Sequence, residues 1–127
     1  MNKEVANWVA SAKYDLDTAE VMYKSRRYIY VVFFCHLAIE KALKAVVTEN
    51  TSQIPPKSHD LVMLAKLANI KFGAAQREFI GRLNTASVVT RYPEDISAIY
   101  KTYTRKLASE SLVKARETVE WIISHLR

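Results

Sequence analysis

Tyr28-Ile29-Tyr30-Val31-Val32-Phe33-Phe34-Cys35-His36-Leu37-Ala38-Ile39-Glu40-Lys41-Ala42-Leu43-Lys44 reads as a helix that is apolar almost all round, then takes on His36, Glu40, Lys41 and Lys44 at helical spacing. A helix greasy on every face belongs in the middle of a bundle. Charges inside such a helix must find partners or border a functional surface. The helix is expected to run from about Tyr28 to Glu49, with Phe34 buried.

The flanking segments supply its neighbours. Val5, Trp8, Ala12, Leu16, Ala19 and Tyr23 recur at three- and four-residue steps and predict a first helix over Asn2 to Lys24, with Asn2 as its N-cap. Ser25-Arg26-Arg27 is a tight reversal between two long helices, which implies an antiparallel hairpin. After the polar, proline-bearing loop Asn50 to Lys57, Ser58 or His59 can cap a short third helix ending near Asn69. A fourth helix fits Ala74 to about Val88 and is broken by Thr90-Arg91-Tyr92-Pro93, since the residue before a proline is pushed out of helical geometry. Asp95 to Thr102 reads either as a mobile loop or as an early start of the last helix. That helix runs from about Tyr103 to Arg127 on Ala108, Leu112, Ala115, Val119, Ile122 and Leu126. The expectation is an all-α, up-and-down bundle of about five helices, three long and two short, forming one domain over residues 1–127.

Composition agrees with few turns: 127 residues contain only 2 Gly and 3 Pro. The longest apolar run, Tyr28 to Cys35, is far shorter than the ~20 residues a bilayer needs. The N-terminus lacks the apolar stretch of a secretory signal. The lone Cys35 sits in the apolar helix and reads as a small buried hydrophobe. A cytoplasmic protein without a membrane partner is the expectation. The net charge of +6 favours acidic partners, but the basic residues are scattered and form no block.

The candidate polar residues admit two readings each. His36, Glu40 and Lys44 lie on one helix face, and Glu40 and Lys44 have the favourable order for an i,i+4 ion pair. Either this is a solvated stripe where the helix leaves the core, or Glu40, Lys41 and Lys44 border a groove or dimer surface. His59 and Asp60 either cap the third helix or bring a group that titrates near neutrality to a cleft. Arg91, held by a rigid Tyr-Pro turn, either grips phosphate or ties the loop to Asp15 or Glu40. Tyr92 either stacks on a base or packs on the bundle. There is no Gly-rich phosphate loop, no Cys-X-X-Cys and no His-Glu-X-X-His, so neither a metal nor a cofactor is expected.

Taken together, these pieces resemble the HEPN family. They are Trp8, Ala12, Asp15-Leu16 and Ala19; Phe33 through Lys44; His59-Asp60-Leu61 with Leu64; Thr90-Arg91-Tyr92-Pro93-Glu94-Asp95; and Ala108 with Ala115. The resemblance covers nearly the whole chain. It implies long up-and-down helices with shorter ones, commonly in a two-fold homodimer. Such domains are often encoded beside a minimal nucleotidyltransferase, the two acting as a toxin–antitoxin pair. Many members are metal-independent ribonucleases that carry an Arg followed by four to six residues and a His.

This chain departs from that motif. Tyr92 to Ile99 after Arg91 contains no His, and Arg116 to His125 is too widely spaced. Without a His near the arginine, the general acid/base of RNA cleavage is missing. The expected function is therefore a non-catalytic dimeric module that binds a nucleotide or a nucleotidyltransferase partner, with Arg91 on phosphate, Tyr92 stacking, and Lys41 and Lys44 adding positive field. His36, Glu40, His59, Asp60 and Asp15 are the supporting polar residues. The alternatives are a ribonuclease toxin acting on RNA through Arg91 and His59, and a scaffold domain without a small ligand.

Overall fold

A computed structural model describes residues 1–127 as six α-helices without strands: α1 Lys3–Lys24, α2 Tyr28–Thr51, α3 Leu61–Leu67, α4 Ala74–Arg91, α5 Ile96–Thr102 and α6 Arg105–Ile123. The all-α bundle is as expected, with one helix more. Asn2 caps α1, its Oδ1 accepting from the Val5 amide at 2.8 Å. α2 packs against each of the other five helices. Its Val31, Cys35, Ala38, Ile39, Ala42 and Leu43 are completely shielded from solvent. Phe33 and Phe34 are only half-buried, so Phe34 lies at the margin of the core and not at its centre. The two rings meet edge to face with centroids 5.3 Å apart.

Long-range contacts orient the three long helices. Asp15 meets Lys41 and Trp8 meets Lys44, which makes α1 and α2 antiparallel. Arg105 at the start of α6 meets Tyr23 near the end of α1, while Arg127 beyond α6 meets Glu49 near the end of α2. α6 therefore runs alongside α2 in the same direction. None of the helices is long and apolar enough to cross a membrane.

The α1–α2 reversal is a Schellman turn. The Arg27 amide donates to Met22 O at 2.8 Å, and the Arg26 amide to Tyr23 O at 3.1 Å. Arg26 sits in the left-handed region with φ 63°, at a position where glycine is easiest. For a residue with a Cβ that geometry costs about 1–2 kcal/mol. The same turn ends α3 with Asn69 at φ 55°, where a short amide side chain tolerates it better.

Helix boundaries differ from the sequence reading in several places; α2 runs on to Thr51, and α6 stops at Ile123, short of Arg127. Asp60, not Ser58 or His59, caps α3, accepting from the Val62 and Met63 amides at 3.0 and 3.3 Å. α4 continues to Arg91 because proline restricts only the residue before it. Tyr92 leaves helical geometry (φ −129°, ψ 66°), yet its amide still reaches Val88 O. Finally, residues 96–102 form neither a loop nor the start of the last helix. Asp95 caps them as a helix of their own, and Tyr103 (φ −92°, ψ 80°) separates it from α6, which Thr104 then caps.

Candidate functional site

Glu40 and Lys44 are buried and Lys41 is partly so, and of the two readings of this face the solvated stripe does not hold. Glu40 is 3% exposed and Lys44 7%. An unpaired charge at that depth is prohibitive, and the seam between α2 and its neighbours supplies the partners. Glu40 Oε2 accepts from Lys44 Nζ at 3.1 Å, and Glu40 Oε1 lies 2.8 Å from His59 Nδ1. Lys44 also lies over the Trp8 ring, 5.6 Å from its centroid. One turn away, Lys41 Nζ sits 2.8 Å from Asp15 Oδ2, tying α2 to α1.

His36 completes the row one turn before Glu40. It is fully buried and neither ring nitrogen has a hydrogen-bond partner. Glu40 Oε1 is 3.9 Å from its Nδ1, too far for a hydrogen bond. Burial pushes the imidazole down to a pKa of about 4, against the pull of Glu40, and the nearby Arg91 charge pushes it further the same way. His36 is thus a neutral ring at physiological pH.

α4 forms the other wall. Asn84, Ser87 and Arg91 follow one another at three- and four-residue steps and share a face. Asn84 Oδ1 accepts from the Leu61 amide at 2.9 Å while its Nδ2 donates to Asp60 Oδ1 at 2.9 Å. That amide, together with the Met63 and Val62 amides and against slight desolvation, holds the Asp60 carboxyl below its ordinary range. Asn84 thereby fixes the start of α3, and with it the position of His59.

Arg91 is half-buried and makes no ion pair. The two carboxylates that could have tied it down are engaged elsewhere: Asp15 by Lys41, and Glu40 by Lys44 and His59. One guanidinium nitrogen donates to the Ser87 carbonyl at 3.3 Å and to the Ser87 hydroxyl. The group lies over Phe33, 4.8 Å from the ring centroid. A guanidinium stacked on an aromatic face and anchored through one nitrogen keeps donors available for an anion. Beside it Tyr92 is 75% exposed.

The structure therefore gathers His36, Glu40, His59, Asp60 and Arg91 on the α2–α4 seam. It places Asp15, Lys41 and Lys44 in ion pairs that link α2 to α1 or to Glu40, which takes both lysines out of any free positive field. Asn84, Ser87 and Phe33 do not stand out as site residues in the sequence. The 84–87–91 spacing within a helical stretch is the available signal for the first two. Arg91 and His59 border none of the five main hollows. A hollow of about 460 Å³ between α4, α5 and α6 takes in Phe79, Leu83 and Lys114 but none of these residues. No group of three or more His, Cys, Asp or Glu is placed to hold a metal ion.

The chain is thus a small six-helix bundle with a buried His-Glu-Lys row on its central helix and an unpaired arginine at the end of the facing helix. The chain belongs to the HEPN family, whose domain model matches residues 5–126. Two solved structures share the fold. TT1696 from Thermus thermophilus has 22% identity and a TM-score of 0.81, over 98% of this chain and 100% of its own. ST0689, described as an archaeal HEPN homologue, has 23% identity and a TM-score of 0.77, over 99% and 100%. No curated protein matches significantly.

Proposed function

We propose that this HEPN chain is a binding module whose α2–α4 seam takes the phosphate of a nucleotide. Arg91 is the phosphate donor, Tyr92 stacks on the base, and His59 stands at the rim. The observation that carries this reading is that Arg91 has no carboxylate partner although Asp15 and Glu40 serve other cations close by. A purely structural arginine in a chain with buried acids would be expected to use one of them. Because His59 and Tyr92 are exposed, a second copy of the chain covering them as a homodimer fits the same reading. So does pairing with a minimal nucleotidyltransferase in a toxin–antitoxin arrangement in the cytoplasm.

A second reading rests on a different observation. With Nδ1 engaged by Glu40, His59 has Nε2 as its uncommitted ring nitrogen, and at 59% side-chain exposure the residue is accessible. A carboxylate-oriented imidazole is the outline of a general base, and it is the feature that favours RNA cleavage through His59 with Arg91. Titration with nucleotides and metal-free incubation with RNA, each on wild type, Arg91→Ala and His59→Ala, separate the two. Binding lost with Arg91 and no cleavage supports the module; cleavage lost in both variants makes it a ribonuclease.

A further inference from the structure

The α1–α2 turn carries an arrangement that the seam does not use. Arg26, Arg27, Tyr28 and Tyr30 meet Tyr100 and Tyr103, from α5 and its end, around a hollow of about 390 Å³. Tyr30 and Tyr100 are 48% and 64% exposed. Both arginines are exposed and, unlike Arg116 and Arg127, neither pairs with a carboxylate of the chain. A further cation stands close by: Arg105 Nε donates to Tyr23 Oη at 3.2 Å, and the Tyr23 ring tilts against Tyr28 with centroids 5.9 Å apart.

The residue types narrow the ligand. Exposed phenol rings offer flat apolar faces, on which every nucleobase stacks irrespective of sequence. Unpaired guanidinium forks match phosphate oxygens. Paired bases in a duplex hide their faces, so this combination selects unpaired strands. The backbone adds an independent argument. The turn itself asks for glycine at position 26, yet an arginine is held there with φ 63°. Local geometry therefore gives no reason for that side chain, whereas its place on the rim of the hollow does.

We propose that this hollow binds single-stranded nucleic acid, with Tyr30 and Tyr100 stacking on bases and Arg26 and Arg27 holding the phosphodiester backbone. It is separate from the Arg91 seam and does not depend on it. The test is fluorescence anisotropy with a short labelled oligouridine, with an RNA hairpin stem and uridine monophosphate as competitors. Tyr100→Ala should weaken strand binding by roughly tenfold, the size expected for one lost base–aromatic stack. Arg26→Gly should weaken it as well while raising the unfolding midpoint, a combination that damage to the fold does not produce. Arg91→Ala should leave it unchanged. Wild-type affinity in both Arg26→Gly and Tyr100→Ala would overturn the proposal, as would equal competition by the duplex stem. Displacement by uridine monophosphate at the same site concentration would make the ligand a free nucleotide and overturn the claim of a strand. Loss of strand binding in Arg91→Ala alone would move it to the seam.

Discussion

His59 Nδ1 lies 2.8 Å from Glu40 Oε1, joining the residue just before the α3 cap to the buried centre of α2 across 19 positions of sequence. Through that contact one carboxylate serves both a buried lysine and an exposed imidazole. The loop between α2 and α3 is thereby pinned to the face on which Arg91 also stands.

Removing the carboxylate should be expensive. In Glu40→Gln the Lys44 ammonium stays buried without a counter-charge, and a loss of about 3–5 kcal/mol is expected in urea denaturation. Adding Lys44→Met to the same chain should recover much of that loss, because the uncompensated charge goes with it. A double variant no more stable than Glu40→Gln would show that the pair is not what holds this region.

His36 predicts a particular acid sensitivity. Its folded pKa is about 4, against an ordinary 6.5. Above pH 6.5 the ring is neutral in both states and contributes no pH dependence. Between pH 6.5 and 4 the unfolded chain binds the proton more readily, so stability falls as pH falls, by up to about 3 kcal/mol before levelling off. Asp60, whose carboxyl is held below 3.8, loses its contribution only at lower pH. Unfolding midpoints measured across this range should flatten in His36→Leu. An unchanged slope in that variant would assign the acid sensitivity to other groups.

The core reading is tested by two substitutions on α2. Leu43 is fully buried, so Leu43→Ala should cost about 2–5 kcal/mol. Phe34, at the half-buried margin, should cost less on replacement by alanine than a fully enclosed phenylalanine. Equal losses, read by chemical denaturation, would mean that the two positions are enclosed alike.

Cys35 should be silent in the folded state. It is fully buried, and burial pushes its thiol up to about 12 despite the opposing charge of Arg116. A thiol reagent should modify the chain only in denaturant; rapid modification of the native protein would show that α2 opens.

The fold is legible from the sequence because Val5 to Tyr23 and Ala108 to Leu126 each carry an unbroken three-four apolar rhythm, while Tyr28 to Lys44 is apolar almost all round, as a central helix is. Two short pieces are harder to read. α5 buries a single residue within its span, Ile99, too little to generate periodicity, and its one signal is the Asp95 cap. Arg91 reads as a loop residue if Pro93 is taken to end α4 early, whereas the proline constraint reaches back only to Tyr92. The site is legible in its members but not in its pairing. Helical spacing puts Glu40 beside Lys44, but nothing in the sequence can show that His59 returns to Glu40, or that Lys41 is taken by Asp15. Those contacts depend on how the α2–α3 loop and α1 pack, which no local pattern encodes.

The central claim is that Arg91 is held free for an anion. Calorimetric titration of wild type and Arg91→Ala with a purine nucleoside triphosphate and with inorganic phosphate tests it most directly, with circular dichroism on both proteins. The account predicts saturable binding by wild type, at least roughly tenfold weaker binding by Arg91→Ala, as for loss of a charge-assisted phosphate contact, and matching helicity. Equal affinity in the two proteins, or a variant that loses its helicity with no separable binding defect, would contradict it.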